Sequence, residues 1–420
     1  MVGGLTLVQP DLELAASLFD SLSRATRRGR GIVRDSYGPG EQAAHDIARC
    51  AAETIGLEIS VDAIGNLTMT LPGRDRRAPR LVMGSHLDSV PQGGNYDGAA
   101  GVVAGLSALS ALKKARVEPP YDLAVMGIRA EESAWFDVPY IGSAGAFGLL
   151  EPASLSVQRS DNGRTLESTL IERGFDPETI RARRRLLDPS QIRAYLELHI
   201  EQGPTLVARG LPAGVVTGIR GCKRFRNARC IGKYAHSGAV NRPYRQDAVA
   251  ATVALLHHME TVWLQQEGAG ADLVFTAGEF YTDPAMHGPS KIAGETRFVL
   301  DVRSVSDATM EAVAAEARRA AVRVGEAYRV SFELGATSDS PPAVMDARLR
   351  ARLMSLLDQP FEMPSGAGHD AAVFAKMGIP TAMIFVRNAQ GSHNPDETMA
   401  MEDFEVASQA LLRLLLDFPL

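Results

Sequence analysis

Residues 84–98 read GSHLDSVPQGGNYDG and directly follow the apolar run LVM at 81–83. Acids and imidazoles are poor strand formers and poor core residues, so a chemical reason is needed for His86, Asp88 and Asp97 at the end of a buried strand. Residues two apart in a strand face the same side, which lets Asp88 reach the imidazole of His86. A carboxylate on the second ring nitrogen fixes the tautomer of a metal-binding histidine and orients it. Asp97 returns after a glycine-rich bend, and its two oxygens could bridge two cations.

Three more apolar runs end in the same kinds of residue. DLAVMGIRA (122–130) leads to Glu131 and Glu132, AYLEL (194–198) leads to His199 and Glu201, and TAMIFVRNAQGS (381–392) leads to His393. Ligands of open α/β sheets collect beyond the carboxyl ends of the strands, so these distant residues can meet at one edge. Each fragment alone reads as incidental, but four coincident strand ends point to a metal site. Three histidines with carboxylates and no nearby cysteine suit zinc, manganese or cobalt. Adjacent side chains diverge, so one of Glu131 and Glu132 can bind metal while the other handles a proton.

Working outward, helix-like and strand-like segments alternate up to about residue 212. AAGVVAGLSALSALKKARV (99–117) reads as the crossover helix between two parallel strands. The order changes near GLPAGVVTGIRG (210–221) to strands and two long helices, which suits helices on one face of a small antiparallel sheet. It returns to helix and buried strand from about 331. The expected architecture is an α/β domain over 1–212 and 331–420, with a central, mostly parallel sheet, interrupted by an α+β domain over 213–330.

The 420 residues are 45% apolar and 22% charged with a formal net charge of −6, which fits a globular protein and argues against a nucleic-acid partner. The arginine-rich stretches RATRRGRGIVR and RARRRLLD lack interleaved aromatics and read as solvated faces. Three cysteines imply no disulfide framework. The stretch MVGGLTLVQPDLELAAS lacks the basic and apolar regions of a signal peptide, and no apolar run reaches the ~18 residues of a membrane span. A soluble cytoplasmic protein is expected.

The motifs GIVRDSY, DAIGNL, GSHLDSVPQGGNYDGAAGV, AEES, LELHIEQGP, GVVTGIRG, DVRS, SGAGHDA and GSHNPDE extend over nearly the whole chain. Together they resemble the M20 metallopeptidase superfamily, and within it the amidohydrolase branch of N-carbamoyl-L-amino acid hydrolases, β-ureidopropionases and allantoate amidohydrolases. The resemblance implies two divalent ions per subunit (Zn, Mn or Co). His86, Asp97 and His199 would bind one and Asp97, Glu132 and His393 the other, with Glu131 as general base and Asp88 as the partner of His86. It assigns substrate contacts to Gln202, His236, Arg303 and Gly368, with His236 also holding the oxyanion in its own or a partner subunit. It makes the inserted domain a ferredoxin-like dimerisation or lid domain of a homodimer.

Departures from the family pattern cluster near the substrate. EEGSRF is EESAWF here, with Trp135 in place of arginine; HAGTTPM is HSGAVNR; NVIPG is SKIAG, with Ser290 at an asparagine that contacts substrate. The expected function is hydrolysis of a linear amide or ureido C–N bond in a small carboxylate-bearing molecule, with an altered pocket to which Trp135 adds apolar surface. An N-acyl-amino acid amidase or dipeptidase is the nearest alternative, and a catalytically silent binding protein a remote one. His45, His257 and His258 read as surface or interface positions on helices. His287 reads as a loop residue with a possible pocket role, and His369 as pocket wall.

Overall fold

The structure is a computed structural model that describes residues 8–418; the first seven positions of the N-terminal stretch read above lie outside the described residues. The chain forms two compact units, residues 1–217 with 344–420 and residues 218–343.

The first unit is built on a nine-stranded sheet. Its centre is four parallel neighbours in the order Thr381–Val386, Ile192–Ile200, Arg80–His86, Leu123–Ile128. The flanks run antiparallel: Ala213–Ile219 pairs with Thr381–Val386, and the hairpin Glu58–Val61/Leu67–Leu71 extends the sheet from Leu123–Ile128. The sheet is therefore mixed rather than mostly parallel, because the strand adjoining the central four on each flank runs against them. Both faces of the centre are covered, which is why those strands read as unbroken apolar runs. Leu81, Met83, Val125, Leu196 and Ile384 join a core shared with the helices Leu12–Thr26, Pro39–Ile55, Ala99–Lys114 and Met401–Leu416. On alternate positions Tyr195 stacks on Phe374 with centroids 3.7 Å apart.

The crossover helix Ala99–Lys114 is buried from Ala99 to Leu112. Its small residues bring it onto the sheet: a Cβ at Gly101 would lie 2.5 Å from the Leu198 carbonyl oxygen. Because the four central strands are parallel, the strand ends at His86, Ile128, Ile200 and Val386 all lie on one edge.

The second unit has a five-stranded antiparallel sheet in which Val274–Tyr281, Glu295–Ser304, Gly221–Ile231 and Ser331–Glu333 are successive neighbours. Along Glu295–Ser304 the residues Thr296, Phe298, Leu300, Val302 and Ser304 are buried in alternation. Phe298, Leu300 and Val302 share one core with the helices Ala248–Gly268 and Asp307–Tyr328, so Asp301 and Arg303 point to the other face.

The division falls later than composition suggests at both ends, because ladder bonds rather than the turn residues at 210–214 decide it. Ala213–Ile219 pairs with Thr381–Val386 of the first sheet. Ser331–Glu333 and Ser338–Ser340 both pair with Gly221–Ile231, which keeps them in the second.

Candidate metal centre

The carboxyl edge of the first sheet gathers the expected donors. Asp97 Oδ1 lies 3.2 Å from His199 Nε2 and 3.5 Å from His86 Nε2. Asp97 Oδ2 faces the other way, 3.4 Å from His393 Nε2, which is 3.2 Å from Glu132 Oε1. Four ligands about 2.0–2.1 Å from a zinc ion in tetrahedral array are about 3.3 Å apart, so both groups have the spacing of a coordination sphere. His86–Asp97–His199 and Asp97–Glu132–His393 each bring three donor atoms within 4.8 Å of one another. Nitrogen and carboxylate oxygen donors without thiolate suit zinc, manganese or cobalt.

The ring nitrogens facing away from Asp97 are anchored. His199 Nδ1 lies 2.9 Å from the Ile200 carbonyl oxygen, and His86 Nδ1 lies 3.1 Å from the carbonyl oxygen and 3.3 Å from Oδ1 of Asp88. Since a carbonyl only accepts, Nδ1 carries the proton in both rings and Nε2 is left available to ligate. Asp88 also binds three other groups. Its oxygens accept from the backbone N–H of Glu131 (3.0 Å) and Glu132 (3.2 Å) and from Ser36 Oγ (2.6 Å). One carboxylate thus fixes a histidine and the backbone of both glutamates.

The Asp97 loop is held from beneath by Arg34, the last residue of a stretch read above as a solvated face, and by Glu397, which sequence reading did not single out. Arg34 is fully buried and donates to the carbonyl oxygens of Leu87 (2.8 Å), Asn95 (3.3 Å) and Asp97 (3.0 Å). Glu397 accepts from the backbone N–H of Tyr96 (2.8 Å) and Asp97 (3.2 Å) and from Ser392 Oγ (3.0 Å). Both lie inside motifs quoted above, GIVRDSY and GSHNPDE. The solvated reading of RATRRGRGIVR holds for Arg24, Arg27, Arg28 and Arg30 but fails at Arg34, which follows the apolar pair Ile32 and Val33 inward. Gly98 adopts φ 67°, and a Cβ there would lie 2.4 Å from His86 Cε1, so no larger residue fits.

Burial opposes ionisation of Asp97, but hydrogen bonds from His199, His393 and His86 outweigh it and hold the carboxyl well below its usual range. Burial likewise opposes charge on His86 and His199. The bonds to Asp88 and Asp97 prevail, and both imidazoles are raised. His393, bonded to Asp97 and Glu132, is pushed up to about 10. Glu131 is raised well above its usual value by burial; the charge of His86 opposes this, and those of Glu132, Asp370 and Asp88 add to it. Its Oε2 is 4.0 Å from His86 Nε2. A raised carboxyl beside the donor cluster is suited to taking and returning a proton.

The remaining site candidates are spread over both units. Gln202 turns onto the donor cluster, its Nε2 3.0 Å from Asp97 Oδ2 and 3.3 Å from His393 Nε2. Gly368 abuts the phenol of Tyr140. In the second unit, Ala235–His236 pairs with Lys291–Ile292, and the Ser290 carbonyl accepts from the Ser237 N–H at 2.8 Å, so His236 and Ser290 share one hairpin-like element. His236 Nδ1 accepts from the N–H groups of Gly238 (3.1 Å) and Ala239 (3.2 Å), which places the ring proton on the exposed Nε2. Arg303 pairs with Asp301 at 3.0 Å, and Arg224 shares that carboxylate.

Three expectations change. Trp135 does not offer apolar surface to a pocket. Its indole is 6% exposed, donates to the Ser89 carbonyl at 2.7 Å and lies under the Arg159 guanidinium. His45 is not a surface residue but is buried on the same helix stripe as Glu41, Ala44, Ala48 and Ala52. Glu201 caps a helix, accepting from the N–H groups of Thr205 and Leu206. His369 is buried, bonded to Ser365 Oγ at 2.8 Å and packed edge-on against His199, and its donors fall within 4.8 Å of those of Glu197 and His199.

The model of the peptidase family M20/M25/M40 matches residues 82–417. An N-carbamoyl-L-amino acid amidohydrolase from Geobacillus stearothermophilus is 32% identical over 392 residues, covering 91% of this chain and 92% of that protein. An allantoate amidohydrolase from Bacillus subtilis is 30% identical, covering 92% of each. Among solved structures, a hydantoinase/carbamoylase family amidase from Burkholderia ambifaria superposes with a TM-score of 0.86 at 29% identity, over 98% of this chain and 97% of that one. With the donor cluster lying inside the matched span, the chain belongs to peptidase family M20/M25/M40.

Proposed function

We propose that this protein is a metal-dependent amidohydrolase that cleaves a linear amide or ureido C–N bond of a small carboxylate-bearing molecule, of the N-carbamoyl-L-amino acid or allantoate kind. The observation that carries the reading is Asp97, whose two oxygens face two separate donor groups. In this reading His86, Asp97 and His199 hold one divalent ion and Asp97, Glu132 and His393 the second, as zinc, manganese or cobalt. Such ions supply Lewis acidity, lowering the pKa of water and polarising the scissile carbonyl.

Glu131 takes the proton of the attacking water and delivers it to the leaving nitrogen. Asp88 holds the base's backbone and His86 in register. In this reading the Nε2–H of His236, in its own or a partner subunit, donates to an oxygen that gains negative charge, and Arg303 offers a planar fork for a carboxylate. On an N-carbamoyl acid, one water yields the amino acid, ammonia and carbon dioxide. The reading takes the second unit as a ferredoxin-like dimerisation or lid domain and the enzyme as a cytoplasmic homodimer. With Trp135 buried, the altered pocket rests on Ser290, whose side chain is shorter than asparagine.

The test is metal removal and return. Chelation abolishes activity, and Zn²⁺, Mn²⁺ or Co²⁺ restores it on a panel of allantoate, N-carbamoyl and N-acyl amino acids. The imidazoles must lose protons to ligate, and His393 holds its proton to about 10 without a cation. Metal uptake therefore releases protons at neutral pH, and apparent affinity falls as pH falls. Calorimetry in buffers of different ionisation enthalpy reads this directly. Retention of no metal under any condition would overturn the proposal, and turnover of N-acyl substrates alone would move it to the acylase alternative.

A further inference from the structure

Tyr140 occupies a position that its own backbone does not favour. Its φ is 59°, in the left-handed region that costs a non-glycine residue free energy unless its surroundings enforce it. Three successive bonds do so: the N–H groups of Tyr140, Ile141 and Gly142 donate at 2.9 Å each to the carbonyl oxygens of Glu131, Ala130 and Arg129. The phenol is thereby held at a fixed offset from the base Glu131.

The ring tip lies against Gly368, where a Cβ would come within 1.6 Å of Oη and 2.9 Å of Cζ. Glycine at 368 is therefore what admits the phenol. Burial raises the phenol's pKa, and the charges of Glu131, Asp370, Glu197 and Glu132 raise it further, so the group stays a neutral O–H donor. Among the described residues Oη has no hydrogen-bond partner, and Tyr140 is only half-buried. A half-buried hydroxyl held at such a cost and left without a protein acceptor is placed for a ligand.

Its place beside the base selects which part of a ligand. The Tyr140 N–H donates to the Glu131 carbonyl oxygen, so the phenol is carried next to the group proposed to act on the scissile carbonyl. The carbamoyl or acyl end, which contains that carbonyl, is the part that reaches Oη, and the substrate's carboxylate lies farther along the molecule. We infer that Tyr140 is a specificity-determining residue whose Oη hydrogen-bonds the neutral carbamoyl or acyl end of the substrate and seats it against Gly368. The inference rests on the amidohydrolase reading above, and its test does not need turnover.

The experiment is calorimetric binding to the Zn²⁺-loaded Glu131→Gln protein, with and without Tyr140→Phe, which removes one oxygen and keeps the ring. The probes are N-carbamoylglycine and propionate, the latter a carboxylate without the neutral group. Loss of one uncharged hydrogen bond weakens binding roughly 3- to 10-fold. That loss is expected for N-carbamoylglycine alone, with propionate unchanged. Equal affinities in the two proteins, a matching loss for both probes, or no binding of N-carbamoylglycine to the parent would each overturn the assignment. Absence of turnover by the unmodified enzyme would count against the amidohydrolase reading instead.

Discussion

The donor cluster of the first unit and the His236 element of the second are built to opposite standards of constraint. Apart from His393, whose side chain is 48% exposed, the cluster is buried through His86, Asp88, Asp97, Glu131, Glu132 and His199, and Asp88 and Glu397 each take three or more hydrogen bonds that lock the loops carrying them. His236 and Ser290 are exposed on a two-residue strand and its turn, and the Arg303 side chain is 38% exposed. Rate depends on groups that need no reorganisation as charge develops, whereas recognition tolerates side chains held by few bonds. In the proposed reading the cluster is therefore where small displacements cost turnover, while His236, Ser290 and Arg303 of the second unit join Tyr140 in setting substrate preference.

The largest effect expected is at Glu131. Glu131→Gln should keep its metal and lose about 10²–10⁴-fold in kcat, whereas Glu132→Gln should first lose metal affinity, as elemental analysis against kinetics will show. Reversed phenotypes would exchange the two roles. A smaller effect tests whether the cluster depends on its supports. Glu397→Gln touches no proposed ion, yet should cost about 10–100-fold in metal affinity or activity, as loss of an outer hydrogen bond does. An unchanged metal titration would show that the Asp97 loop holds without it. The smallest belongs to the second unit: Arg303→Ala should raise KM about tenfold for carboxylate substrates with kcat nearly intact. A fall in kcat with KM unchanged would place Arg303 with the chemistry and erase the contrast.

What the sequence made legible follows the same divide. Each candidate ligand ends or closely follows an apolar run, and four parallel strands bring those ends to one edge, so local pattern and topology agree. The Asp88–His86 pairing was legible from the two-residue spacing; its bonds to the Glu131 and Glu132 backbone were not, because they span more than forty residues. Arg34 was read with its neighbours as solvated and Glu397 was passed over for the same reason, each acting on a loop far away in sequence. Trp135 was misjudged from adjacency, since the chain turns after Glu132 and tucks the indole under the Ser89 carbonyl. His45 could have been placed inside, because it follows the small-residue stripe of its own helix.

The strand Thr381–Val386 lies between Ile192–Ile200 and Ala213–Ile219, both made earlier. On a ribosome adding about 5–20 residues per second, some 10–40 seconds separate His199 from His393. Throughout that interval the nascent sheet has a gap at its centre with two unpaired strand edges, which are sites for wrong pairing. The donors on one side of Asp97 are then complete while the other side lacks its histidine. Vectorial synthesis therefore delays the hydrolase until the final segment closes the sheet, and a chain released early carries half a centre and an open seam.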